Sequence, residues 1–251
     1  MIDRAIFASW YDLPEAGADA YLAWLHACYL PALLGRKGYL WAAHYRAVDK
    51  EQRPATQRES ALHRIDAAAV PAGSRYVLLI GAGDANGFGS PDWRALDAAL
   101  PDADRAMLGM RQGEYVNVMV EAARIDGPAL KDYAHGMAPA PCIQFGNFNC
   151  AWRDEQDMLA WYAGWRMPAM RECPGVIRVR RLCSIAGWAK HGVFYEFTSL
   201  ATRNEFFLGH EDAHPDIKAW SDRMVGKLTH APASSTLALR IWPPLADAHG
   251  K

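Results

Sequence analysis

Leu22-Ala23-Trp24-Leu25-His26-Ala27-Cys28-Tyr29-Leu30-Pro31-Ala32 runs on to Gly38. From Leu159 the chain reads Leu-Ala-Trp-Tyr-Ala-Gly-Trp-Arg-Met-Pro-Ala and runs on to Gly175. Leu22/Leu159, Ala23/Ala160, Trp24/Trp161, Pro31/Pro168, Ala32/Ala169 and Gly38/Gly175 fall in one register without a gap. Self-similarity at so long a spacing suits a duplicated small domain and not a solenoid unit. The repeat breaks at one chemically useful place. His26 in the first copy stands where Ala163 stands in the second, so one half looks chemically equipped and the other looks like scaffold. The principal ligand cavity is therefore expected in the first half.

The surrounding segments repeat as well. Residues 5–12 read as a strand, 18–34 as a helix with apolar stripes on both sides, and 39–48 as a second strand. A polar, Pro-containing stretch from Asp49 to Gly73 follows, with a short helix expected near Glu59 to Ala69. A loop of that length inside a compact domain is usually functional. Residues 74–80 are a strand, Ser90-Pro91-Asp92 opens a helix to about Leu100, and 114–125 is a strand. The second half repeats the order with strands at 142–150, 176–185, 193–198 and 235–242. Its helices are expected at 154–171 and after His214-Pro215-Asp216, and the short stretch 185–192 replaces the long loop. Each half is thus β-α-β-β-α-β, the ferredoxin-like unit. The fold class is α+β, with repeats over 1–130 (the active half) and 140–251 (the degenerate half), packed sheet to sheet.

The chain has 251 residues, 51% hydrophobic, with a formal net charge of −1. That supports a sizeable core and offers no electrostatic argument for nucleic acid or an anionic membrane. No window suits a spanning helix, and Met-Ile-Asp-Arg leading straight into apolar alternation is not expected to act as a signal peptide. Cys28, Cys142, Cys150, Cys173 and Cys183 form no C-x-x-C pair and read as buried small hydrophobes, so a cytoplasmic location is expected.

The helix phrase Trp24-x-His26-x-x-x-x-Pro31 to Gly38, set in this element order, resembles the EthD-like branch of the dimeric α+β barrel superfamily, here as a tandem duplication in one chain. The resemblance implies small-molecule chemistry without a dedicated cofactor fold: cyclases, isomerases, dehydratases, cofactor-independent oxygenases and some haem proteins. From the charge balance and hydropathy no nucleic-acid or membrane partner is expected, and the expectation admits a homodimer.

His26 is the candidate general acid/base, because an imidazole takes and returns protons near neutral pH. Tyr29 would orient it or hold an oxyanion, and Arg166 occupies the matching place in the other half. His44, matched by Arg181, and Asp12, matched by Asn149, are further polar candidates on the strands. Trp10, Trp24 and Trp41 cluster around them as candidate ligand contacts. Arg178, Arg180 and Arg181 read as solvated charges on an edge strand. His210-Glu211-Asp212-Ala213-His214 matches H-E-x-x-H, but Pro215 stops the helix such a zinc site needs, so no metal is expected. Gly81-Ala82-Gly83 lacks the third glycine of a dinucleotide turn. The expectation is an enzyme acting without a cofactor on a small aromatic or cyclic molecule by cyclisation, isomerisation or elimination. The alternatives are a binding protein of the same fold, and haem held by His26 or His44.

Overall fold

Both copies of the helix phrase contain a proline that lacks an N–H and crowds the preceding turn. In the computed structural model, which describes residues 2–54, 62–133 and 139–245, both copies answer this in the same way. Helix α1 (Ala18–Trp24) widens into a π-helical turn (Leu25–Tyr29) before α2 (Leu30–Leu34). In the second half α5 (Glu155–Trp161) widens at Tyr162–Arg166. The Leu30 N–H reaches back to the Leu25 carbonyl, and the Met167 N–H to that of Tyr162. Gly38 (φ 96°) and Gly175 (φ 77°) then turn each chain into its next strand, in backbone that side chains with a Cβ rarely adopt.

The strands are β1 (Ala5–Asp12), β2 (Tyr39–Ala47), β3 (Tyr76–Ala82), β4 (Gln112–Asp126), β5 (Cys142–Cys150), β6 (Val176–Ala186), β7 (His191–Phe197), β8 (Leu228–His230) and β9 (Thr236–Trp242). They form one sheet in the order β7-β6-β4-β1-β3-β2-β9-β5-β8, and β7 also pairs β5. That last pairing closes a barrel of antiparallel strands. β8 and β9 share one edge of β5, against Phe148–Cys150 and Cys142–Phe145 respectively. The strand order inside the first half is β4-β1-β3-β2 and inside the second β9-β5-β7-β6. The halves meet through β4–β6 and β2–β9, so their edges hydrogen-bond as their inner faces pack.

Alternation along the strands divides the core. Ile6, Trp10, Trp41, Tyr45, Phe145 and Phe194 fill the barrel interior. Phe7, Tyr11 and Leu78 turn outward beneath Tyr21, Leu25 and Leu30 of the first helix segment. Phe148, Val179 and Tyr195 turn outward beneath Met158, Trp161 and Phe207. Burying one such large apolar side chain contributes roughly 1.5–3 kcal/mol, so these layers hold the helices on the sheet. The remaining helices are α3 (Trp93–Ala98), α4 (Asp102–Leu108), α6 (Leu200–Thr202) and α7 (Pro215–Val225). Asp92, not Ser90, caps α3, its carboxylate accepting from the Ala95 N–H. Among the described residues no helix is long and apolar enough to cross a membrane.

Three expectations change. The second apolar stripe of the first helix is not covered: Cys28 and Ala32 are exposed, because that segment rests on the barrel by one side only. β6 is not an edge strand, since β4 and β7 flank it. Arg180 is 2% exposed there and ion-pairs with Asp3 and Glu196. The helix expected near Glu59 to Ala69 begins outside the described residues, and its described part is not helical. Arg64 instead forms a parallel bridge to His230, carrying the first half's long loop onto the second half.

Candidate functional site

The outward face of each half-sheet and the helix segment above it enclose corresponding spaces, and these differ in size. In the second half the space is a cavity of about 350 Å³. In the first half the corresponding space, between Phe7, Tyr29, Ile80 and Trp93, is about 20 Å³. A groove of about 360 Å³ crosses the outside of the first half at Tyr29, Leu33, Leu96 and Leu100 and is the more open and the more apolar of the two large spaces. The second-half cavity is concave and joins aromatic walls to convergent polar groups, as small-molecule sites do. The sequence placed it in the other half.

The π-helical turn sets Arg166 at the centre of that cavity. Its side chain is 9% exposed and ion-paired with Glu211 at 2.8 Å. Arg166 Nε donates to the Tyr195 hydroxyl at 2.9 Å, and Nη1 also approaches His210 Nε2 at 3.0 Å. The rings of Phe207, Tyr195 and Trp161 surround the guanidinium at 5.0, 5.5 and 5.8 Å. Burial alone would disfavour the cation, but Tyr195 and Glu211 more than offset that and hold Arg166 charged. Glu211 also accepts from Ser221 at 2.8 Å, and Ser221 from Trp161 at 2.9 Å. His210 Nδ1 lies 2.5 Å from the Phe207 carbonyl. A carbonyl only accepts, so neutral His210 carries its hydrogen on Nδ1 and its Nε2 accepts from Arg166 Nη1. Arg203 closes another wall, donating to the Gln144 side-chain oxygen through Nε at 3.0 Å. Leu62, from the first half's loop, completes the lining.

Of the residues singled out from sequence, His26 and His44 meet. His26 Nε2 lies 2.8 Å from His44 Nδ1, and His44 Nε2 lies 2.8 Å from the Tyr11 hydroxyl. Tyr29 does not join them, because its hydroxyl donates to Asp97 at 2.7 Å. Asp12 lies apart: Oδ1 accepts from the backbone N–H groups of Ser74 and Arg75 at 2.9 and 2.6 Å and ties β1 to β3. Trp10 is 0% exposed inside the barrel, donates to Thr236 at 3.1 Å and stacks on Tyr115. Trp41 is inside as well and donates to Asp3 at 2.9 Å, while Trp24 donates to Asp104 at 2.8 Å. The tryptophans thus bind other parts of the chain.

Tyr195, His210, Glu211, Gln144 and Arg203 were not foreseen. An arginine in the apolar run Tyr162-Ala163-Gly164-Trp165-Arg166 was the available signal. His210-Glu211 was weighed only against the zinc pattern, whereas Glu211 serves Arg166. Haem does not fit the histidines named for it. His44 is 0% exposed with both ring nitrogens hydrogen-bonded, and His26 Nε2 is turned into the protein toward His44.

Comparisons with protein-family models and with curated proteins give no match. Solved structures do match over nearly the whole chain. An anthrone oxidase-like protein superposes with a TM-score of 0.61 at 9% identity, covering 95% of this chain and 91% of that one. A candidate monooxygenase from Fusobacterium nucleatum gives 0.56 at 9% identity, covering 96% and 93%. A dye-decolorizing peroxidase from Bacteroides thetaiotaomicron gives 0.52 at 8% identity, covering 96% and 93%. At such identities the likeness is one of fold. The chain has the α+β barrel fold of the dimeric α+β barrel proteins.

Proposed function

We propose that this chain is an enzyme acting on a small, mostly apolar ring compound held in the second-half cavity, and that its two halves are an internal duplication within the EthD-like branch. The gapless helix register, the paired π-helical turns and the matching strand orders support the duplication. The observation that carries the functional reading is the partly open cavity of about 350 Å³ in whose wall aromatic rings surround a buried guanidinium. The fold neighbours are named as enzymes, which favours catalysis over binding alone.

In this reading the ring lies among Phe148, Tyr162, Tyr195 and Phe207, and an oxygen of the substrate faces Arg166. Arg166 Nη1 turns its N–H from His210 Nε2 to the substrate oxygen, which frees Nε2 to take a proton from the substrate while the cation stabilises the charge that develops on that oxygen. Return of the proton elsewhere gives isomerisation, and loss of a leaving group gives elimination. The test is incubation with a panel of phenols, anthrones and cyclic ketones, followed by chromatography with mass detection. Conversion that is lost in His210→Ala while binding persists supports the reading. Conversion untouched in both His210→Ala and Arg166→Met contradicts it.

A further inference from the structure

A line of polar side chains in the first half stands apart from that cavity. It begins at Arg111, whose Nε–H donates to the Tyr21 hydroxyl at 2.7 Å. Tyr21 donates to Tyr11 at 3.3 Å, and from Tyr11 the line continues through His44 to His26. Tyr11, Tyr21 and His44 are 0% exposed, and the Arg111 side chain is 4% exposed. His26, at the outer end, is half-buried and lies nearly parallel to the Trp242 ring.

The donation from Tyr21 to Tyr11 sets the direction of the bonds beyond it. A guanidinium only donates. The Tyr21 oxygen therefore accepts from Arg111, and the Tyr21 proton goes to Tyr11. Tyr11 gives its own proton to His44 Nε2. His44 must then carry its hydrogen on Nδ1 and donate to His26 Nε2, which leaves the His26 hydrogen on Nδ1. That nitrogen has no hydrogen bond to a described residue and is not fully buried. Glu114 accepts from Arg111 Nη1 at 2.7 Å, leaving the Nε edge for Tyr21.

We propose that this line is a second acid–base site, in which His26 Nδ1 delivers a proton to a small organic oxyanion seated against Trp242. As that proton leaves, His26 Nε2 takes the Nδ1 hydrogen of His44. His44 Nε2 takes the Tyr11 proton, and Tyr11 takes that of Tyr21. The acceptor is then neutral, both imidazoles remain neutral, and the negative charge rests on Tyr21 as a phenolate beside Arg111. Tyr76 and Trp242 flank the histidine pair, and Arg46, Arg111 and Glu114 are the nearby charges. Burial holds both histidines below their ordinary range, with His26, Arg111 and Arg46 adding to the effect at His44.

The test uses the full chain with isotope-labelled histidine, observed by nitrogen NMR, and para-nitrophenolate as the probe at a pH above its own pKa. Para-nitroanisole is the neutral counterpart. Both histidines should be neutral with hydrogen on Nδ1, and nitrophenolate alone should shift the His26 Nδ1 signal saturably. Tyr11→Phe should weaken that response roughly tenfold, on the scale of one hydrogen bond. Tyr21→Phe, which does not touch His26, should weaken it as well, with the thermal melt confirming that each variant folds. Hydrogen on His26 Nε2 would overturn the proposal. So would a response at His210 with none at His26, or a Tyr21→Phe variant that responds as the parent does.

Discussion

Phe7 and Gln144 hold the same place in the two halves, as do Tyr29 and Arg166, and Ser9 and Gly146. In the first half Phe7 packs against Phe88 and Trp93, Tyr29 binds Asp97, and almost no space is left. In the second half the smaller Gly146 and the polar Gln144 leave the sheet face open beneath Arg166. The same backbone plan therefore yields a packed wall on one side and a cavity on the other. The long loop belongs to this difference: the first half carries it, yet Leu62 and Arg64 lie on the second half, where Arg64 donates to the Ser234 carbonyl at 2.9 Å.

The largest expected effect breaks the comparison at the π-helical turn. Arg166→Met leaves Glu211 buried without its cation, and breaking a buried pair in this way costs about 3–5 kcal/mol. Tyr29→Phe at the matching position removes one hydrogen bond and should cost about 0.5–1.5 kcal/mol. Urea denaturation of both variants measures the contrast, and equal losses would contradict it.

Acid should act next. The His230 pKa falls to about 4, first through burial, and His26, His44 and His191 are also lowered. The unfolded chain then binds more protons than the folded one, so stability is complete above pH ~6.5 and falls as pH drops toward the folded values. For His230 the loss between ~6.5 and about 4 amounts to roughly 3 kcal/mol. His230→Gln should flatten the stability profile in that window. An unchanged slope would show that His230 protonates freely in the folded protein.

A smaller effect sharpens the comparison from the other side. Gln144→Phe gives the second half the first half's side chain and should weaken ring-compound binding at least tenfold by occupying the cavity. Removing the acceptor of Arg203 should cost about 1–3 kcal/mol of stability as well. Isothermal titration with retained affinity would place the ligand elsewhere.

The sequence carried the architecture because the two helix phrases align without a gap and proline and glycine mark the same turns in each. Periodicity then placed eight of the nine described strands to within a few residues and missed the three-residue β8, where the last helix was expected to end. The site was less legible. Whether a helix and a sheet enclose space depends on pairs far apart in the chain, such as Arg166 with Glu211 or Phe7 with Trp93. His26 and His44 were each found from a break in local pattern, and their contact follows from the helix lying across β2. Tyr29 pointed toward His26 by helical spacing, but the π-helical turn changes that spacing and delivers its hydroxyl to Asp97. Trp10 and Trp41 were expected at ligand because tryptophan suits aromatic pockets, whereas alternation along β1 and β2 turns both into the barrel.

The most direct measurement is a crystal structure after soaking with a mixture of phenols and cyclic ketones. Density for a ring in the second-half cavity, packed against Tyr195 and Phe207 with an oxygen toward Arg166, and the space beside Phe7 and Trp93 closed, is the predicted result. A ring seated between Tyr29, Phe7 and Trp93, with the Arg166 cavity holding only water, would contradict the account.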